Sequence, residues 1–151
     1  AKATDLIGMN TTDSIAEGRA IYRKIFTEDI EFDVVGQDGK PLPAKGPDAW
    51  VDVVLGVLGP MGPTQHFIGT QLVELGELDI ADDGSLVSGD AKMESYLHGW
   101  HEQSDEKVWL YLGTYYDEAK FVQGKGWQIS AMRMHQFAGE TRFMDAAVAG
   151  V

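Results

Sequence analysis

The sequence predicts an α+β domain in which helices precede a long antiparallel sheet. Two observations carry that prediction. Apolar residues recur with helical spacing in two segments before residue 60, and everything after Thr64 divides into four extended runs with short, turn-rich connections. Helices followed by a meander of strands argue against a parallel α/β fold.

The first helix is expected over roughly residues 12–27. Thr11-Thr12-Asp13 offers N-cap residues. Ile15, Ile21, Tyr22, Ile25 and Phe26 then fall near one helical face, with Glu17, Arg19, Arg23 and Lys24 elsewhere. Ile30-Glu31-Phe32-Asp33-Val34 alternates as a strand does. Gln37-Asp38-Gly39-Lys40 reads as a turn, and Pro41 and Pro43 keep the next segment extended. A second helix opens at Pro47-Asp48 and carries an apolar stripe of Trp50, Val53, Val54, Val57 and Leu58. Gly59-Pro60 ends it. Strands are expected over roughly 64–80, 86–101, 107–122 and 126–138. Asp82-Asp83-Gly84-Ser85, Gln103-Ser104-Asp105-Glu106 and Gln123-Gly124-Lys125-Gly126 separate them. A strongly curved antiparallel sheet wrapped over N-terminal helices makes a cone-shaped α+β barrel, and its interior is a natural small-molecule pocket.

The bulk properties narrow the function. Residues 1–151 suffice for one domain, and 44% hydrophobic content supports a real core. Asp and Glu number 24 against 12 Lys and Arg, a formal charge of −12, which disfavours nucleic acid and anionic membranes as partners. The absence of cysteine removes disulfides, thiolate catalysis and Cys-type zinc sites. No run approaches the ~18 apolar residues of a membrane span. Residues 1–10 lack the basic start and apolar core of a signal peptide, so a cytoplasmic location is expected. No phosphate loop, dinucleotide fingerprint or nucleophile elbow is present, and no cofactor is expected.

Four segments carry a family likeness. Phe26-Thr27-Glu28-Asp29-Ile30-Glu31-Phe32-Asp33 resembles a helix-to-strand junction, and Gly46-Pro47-Asp48-Ala49-Trp50 a second-helix start. Thr64-Gln65-His66-Phe67 resembles a His-bearing strand. Gly113-Thr114-Tyr115-Tyr116-Asp117 with Gly126-Trp127-Gln128-Ile129 resembles the last two strands. In this order they resemble the SnoaL-like family of the nuclear-transport-factor-2-like superfamily. That superfamily includes dehydratases such as scytalone dehydratase, hexachlorocyclohexane dehydrochlorinase, ketosteroid isomerase, polyketide cyclases, carbon–carbon lyases and non-catalytic binding or assembly modules. The resemblance therefore implies a cone fold but leaves the reaction open.

It also singles out His66. In dehydratase-like and dehydrochlorinase-like members a His in this segment is the general base, oriented by an acid from the first helix. Strand phase sets His66, Ile68 and Thr70 on one face and Phe67, Gly69 and Gln71 on the other. The plainer reading is a strand-start His bonded to backbone. Leu6-Ile7-Gly8-Met9-Asn10 resembles the dehydrochlorinase segment that ends in its catalytic Asp, with Asn10 where the acid should stand. Asn orients an imidazole but does not stabilise imidazolium by charge. Asp13 supplies the acid if the register shifts, or is an ordinary helix-cap residue.

Asp33 offers a second mechanism, since its position resembles that of the base of ketosteroid isomerase; otherwise it is a solvent-facing strand residue. His101 shares phase with Ala91, Met93, Ser95 and Leu97, the expected inward face, while His98 falls on the other unless Gly99 forms a bulge. The histidine spacing is poor for a metal. Tyr115, with Tyr111 on the same face, is the expected donor to a carbonyl or leaving oxygen, and a second His, His101, is expected to help polarise it. Tyr22, Trp50, Met93, Tyr111, Trp127, Met132 and Met134 are the expected substrate contacts, or simply core. Arg133 either clamps a substrate anion or pairs with surface acids. The favoured reading is a cofactor-independent lyase on a small hydrophobic, possibly aromatic molecule. The alternatives are an isomerase or cyclase using Asp33, or a module that binds without chemistry. Tyr96, His98 and Trp100 alternate on the expected outer face and predict a homo-oligomer, dimer or trimer.

Overall fold

A computed structural model describes residues 1–36, 38–103 and 106–144. Gln37 of the first expected turn and Ser104 and Asp105 of the second strand connection lie outside them. Along the chain come α1 (Lys2–Gly8), α2 (Thr12–Ile25), β1 (Phe26–Asp33), α3 (Gly46–Leu58), β2 (Thr64–Ile80), β3 (Leu86–Glu102), β4 (Lys107–Val122) and β5 (Gly126–Phe143). The three helices pack on a five-stranded, mostly antiparallel curved sheet, the cone-shaped α+β arrangement that the sequence predicts. Among the described residues no helix is long and apolar enough to cross a membrane.

Helix α2 begins where expected. Thr11 caps it, its hydroxyl accepting from the Ser14 amide at 3.2 Å while Ser14 Oγ accepts from the Thr11 amide at 3.2 Å. Asp13 lies in the first turn and Arg23 and Lys24 in the last, the favourable arrangement for the helix dipole. Helix α3 buries Trp50, Val51, Val54 and Leu58. Gly46 opens it at φ 78°, where an added Cβ would stand 2.9 Å from the Glu28 carbonyl oxygen, so glycine lets the chain turn against β1.

The sequence reading misses α1. Seven residues are too few to establish a helical period, and α1 is held by packing instead. Ala3 and Ile7 are buried, and an added Cβ on Gly18 of α2 would lie 2.7 Å from Ile7 Cγ1 and 2.8 Å from the Ala3 carbonyl oxygen. The glycine therefore admits α1 at close range.

The strand order is β1-β5-β4-β3-β2. The last four strands form the predicted meander, but β1 joins its edge parallel to β5, with Phe32 opposite Met132 and Asp33 opposite Arg133. The long intervening chain allows that direction, as a short hairpin does not. In β2 the register shifts between Gly69 and Gln71, and Thr70 takes φ 40°. This bulge reverses the alternation, so Gln71, not Thr70, follows His66 and Ile68 into the interior.

Two buried clusters fill the cone. The larger joins Ile7 of α1, Tyr22 of α2, Ile30 of β1, Trp50 and Val54 of α3 and Met132 of β5. The smaller sits on the concave face of the sheet around Leu97, Trp109 and Tyr111. Tyr115 and Met134 pack against both and border the space between them.

Candidate active site

A cavity of about 260 Å³ lies between the helices and the concave sheet. The expected contacts Tyr22, Trp50, Met93, Tyr111, Met132 and Met134 all line it. Trp127 does not. It is 41% exposed and packs edge-on against Phe121 at 5.8 Å, because its place at the start of β5 lies beyond the enclosed part of the sheet.

His66 faces this cavity, and its partner acid is Asp5 of α1. Asp5 Oδ1 lies 2.6 Å from His66 Nδ1, while Oδ2 accepts from the His66 backbone amide at 3.2 Å. Thr64 Oγ1 adds a longer donor contact of 3.4 Å to Asp5 Oδ1. The His66 side chain is 8% exposed and that of Asp5 26%, so the pair is shielded from bulk solvent. A contact this short between imidazole and carboxylate belongs to the stronger, charge-assisted class.

Asn10 and Asp13 do not reach His66, which corrects the sequence expectation. Asn10 sits between α1 and α2 at φ 54°, with Nδ2 donating to the Gly59 carbonyl at 3.2 Å. Asp13 is exposed in the first turn of α2. The acid comes from five residues earlier than Asn10. An exposed-looking Asp on an unrecognised seven-residue helix gives no sign of this. The i, i+4 pair Ala3 and Ile7 was the available hint that one face of that segment is buried.

His101 completes the group. It is 3% exposed, its Nε2 lies 3.3 Å from His66 Nε2, and its Nδ1 lies 3.2 Å from the Trp109 carbonyl oxygen. The continuous register of β3 through Gly99 leaves His98 on the opposite, exposed face. Gly99 makes room for both rings: an added Cβ there would stand 2.7 Å from His101 Cε1 and 3.5 Å from His66 Cδ2. Burial first, and the facing His66 second, push the His101 imidazole down to about 4, so it is neutral near pH 7.

The protons of this chain can be counted. A carbonyl oxygen only accepts, so neutral His101 carries its hydrogen on Nδ1 and presents a lone pair at Nε2. An ionised Asp5 likewise requires a hydrogen on His66 Nδ1. The 3.3 Å contact between the two Nε2 atoms is then a hydrogen bond only when His66 also carries a proton there. Asp5, His66 and His101 thus stand in series, with a carboxyl group at one end and an acceptor nitrogen at the other.

The tyrosines supply neutral donors. Burial raises the Tyr111 and Tyr22 phenols to about 12, and Tyr22 Oη shares a 2.7 Å hydrogen bond with Thr4 Oγ1. Tyr115 is pushed further up, by burial first and then by its neighbours Tyr22 and Asp117. Asp117, which the sequence reading did not select, lines the same cavity.

Asp33 is placed apart from this chemistry. It ends β1, its side chain is 70% exposed, and Arg133 Nε donates to Oδ2 at 2.9 Å. Both residues line a second groove, which shares Met93, Asp117 and Met132 with the cavity, and neither lines the cavity itself. The expected isomerase-type base therefore faces solvent opposite a guanidinium, because Phe32 takes the inward position of that strand end. Arg133 pairs with this surface acid and not with the cavity. Among the described residues no cluster of three or more His, Asp or Glu side chains is arranged to hold a metal.

Solved structures share this architecture. The Kfla4162 protein of Kribbella flavida is 18% identical over 93% of this chain and 84% of its own, with a TM-score of 0.67. The hexachlorocyclohexane dehydrochlorinase LinA-type3 of Novosphingobium barchaimii is 15% identical over 97% and 88%, with a TM-score of 0.61. ActVI-ORFA of Streptomyces coelicolor is 16% identical over 90% and 89%, with a TM-score of 0.56. At such identities the likeness is one of fold. No curated protein sequence matches the chain. The SnoaL-like domain profile matches residues 18–133, from the middle of α2 into β5, and on that match the chain belongs to the SnoaL-like domain family.

Proposed function

We propose that this protein is a lyase that moves a proton on a small, largely apolar molecule held in the cone, without a cofactor taking part. The observation that supports this reading is that His66 and His101 border an apolar cavity with their Nε2 atoms 3.3 Å apart, while Asp5 lies 2.6 Å behind His66 Nδ1. With its proton removed, His66 Nε2 takes a hydrogen from a carbon of the substrate. The resulting imidazolium is stabilised by the Asp5 carboxylate and shares its new proton with the His101 lone pair. In a dehydration the carbon–oxygen bond then breaks as the carbon–carbon double bond forms, and His66 returns the proton to the departing hydroxide as water leaves. Retro-aldol cleavage uses the same groups, the base taking a hydroxyl proton while Tyr115 donates to the carbonyl oxygen that gains charge.

The fold likeness to a dehydrochlorinase is compatible with this proton chemistry but does not select the reaction. The isomerase reading rests on Asp33, which is paired with Arg133 and does not line the cavity. The test is turnover, without added cofactor, of lignin-derived phenolics, steroids and polyketide fragments. On a substrate that reacts, His66→Gln should lower kcat by roughly 10²–10⁴ with the fold intact. Near-normal turnover by that variant defeats the proposal, and no turnover of any compound by the unmutated chain favours a binding module.

We also infer that the convex face carries a homo-oligomer contact. Phe67 and Tyr96 are 67% and 54% exposed on it, and His98 is exposed as expected, although Trp100 is half-buried. Sedimentation at micromolar concentration should show a dimer or trimer; monomer alone removes the inference.

A further inference from the structure

The inner face of the sheet continues past the enclosed cavity. Residues paired directly across strands share a face, so the register of β2 to β5 sets three successive inward rows. The first is Val73, Met93, Asp117 and Met132, of which the last three line the cavity. The second is Leu75, Ala91, Ala119 and Ile129, and Ile129 still lines it. The third is Leu78, Gly89, Phe121 and Trp127, none of which does. Asp117 is the one ionisable group in these rows, while Glu74, Lys92 and Glu118 alternate onto the other face.

The rows form a trough. Its floor is made of small residues, Ala91 at 7% exposure with Ala119 and Gly89 beside it. Val73 and Leu75 make the wall on β2, 54% and 61% exposed, and Ile129 stands on the β5 side. Gly89 marks the far end. An added Cβ there would stand 2.7 Å from Leu78 Cδ2 and 3.2 Å from Trp127 Cη2, so these two side chains lean over the glycine from opposite sides. Apolar walls left this wet, running on from a cavity for an apolar molecule, mark a binding surface. From the Met93 row to the Gly89 row the trough extends about 13 Å at the rise of a strand.

We propose that this trough holds a linear apolar tail, an alkyl or acyl chain of about eight bonds, on the molecule whose reacting head lies in the cavity. This deepens the small-molecule reading of the cavity and rests on it. Continuity identifies the occupant. Met93, Met132 and Ile129 belong to the cavity and to the trough alike, so a chain that leaves the cavity past them stays on apolar surface. The contact between copies inferred above uses the convex face, around Phe67 and Tyr96, and leaves this concave trough to the ligand.

The test is calorimetric binding of p-cresol, 4-butylphenol and 4-octylphenol at about pH 5.5, where burial keeps the Asp117 carboxyl at the start of the trough neutral. Full burial of a methylene tightens binding about fourfold, so a half-covered trough should give about twofold per methylene, or about fifteenfold from butyl to octyl. Leu75→Asp puts a charge on the exposed wall and should cut that gain to about threefold or less, with p-cresol unaffected. Leu72→Asp, on the other face of the same strand, should keep the gain. A flat series in the unmutated protein, or the same gain in Leu75→Asp, overturns the proposal. If Leu75→Asp fails to fold, Ala119→Leu, which fills the floor, takes its place with the same expectation. Should a second copy cover the trough instead, the gain is absent and Leu75→Asp turns an oligomer into a monomer in sedimentation, which also overturns it. His66→Gln should leave the gain intact, so loss of lyase chemistry and loss of tail binding are read separately. Binding of the phenols without a gain removes the tail alone; failure of all three to bind removes the cavity reading and the tail with it.

Discussion

The buried carboxyl of Asp117 should make the stability of this protein fall as pH rises through the weakly acidic range. In the unfolded chain the group titrates near its ordinary value of 3.8, and in the folded protein near 7, with burial as the leading cause. Between those values the folded state holds a proton that the unfolded state has released. Stability from this group is therefore fully present below pH 3.8 and is lost as pH climbs toward 7. At ~1.4 kcal/mol per pH unit, that displacement amounts to about 4 kcal/mol, a large share of a small domain's stability. Other groups slope the opposite way. His101, held near 4 against an ordinary 6.5, costs stability as pH falls below 6.5. The hydrogen-bonded carboxylates Asp29, Asp38, Asp48 and Asp83 lie below their usual range and also lose their contribution in acid. Those terms are shared by Asp117→Asn, which has no proton to release, so the difference between the two proteins isolates Asp117. Urea unfolding from pH 4 to pH 7.5 should show the unmutated protein losing about 4 kcal/mol relative to the variant, with equal m-values. Parallel curves across that range would mean that the folded state ionises Asp117 as easily as the unfolded chain, and the burial argument would fail.

Three further outcomes follow from the site. Asp5→Asn keeps an acceptor for His66 Nδ1 but removes the charge beside it; kcat on any identified substrate should fall by roughly 10²–10⁴, while Asn10→Ala and Asp13→Ala leave it within about twofold. Gly99→Ala drives a methyl group into the His101 ring and should cost about 1–3 kcal/mol in urea unfolding together with most of the activity; an unchanged midpoint contradicts the close approach seen there. Ile7→Ala removes a fully buried side chain that seats α1 on α2, so a loss of about 2–5 kcal/mol is expected in the same assay, and a neutral result would mean that α1 is not held by this contact.

What the sequence determined by itself is the local and periodic part. The Trp50 stripe, the cap at Thr11 and the turn chemistry between strands act within a few residues, so α2, α3 and the four-strand meander were legible. Alternation along β3 and β4 likewise sent His101, Met93, Tyr111 and Tyr115 inward, because period-two geometry survives wherever the ladder is unbroken. The tertiary structure decided what depends on contacts distant along the chain. Asp5 meets His66 only because Gly18 lets a seven-residue helix lie close against α2, and short segments carry no period that announces them. Gln71 faces inward because one bulge at Thr70 reverses the phase of β2, which no count of alternating residues contains. Asp33 is turned away from the cavity, and Asp117 into it, by the parallel seating of β1 on β5 and by the phase of β4. Both are an Asp following an aromatic residue on a strand. Their opposite fates reflect which face of the curved sheet each occupies, a property of the assembled layers and not of the residues themselves.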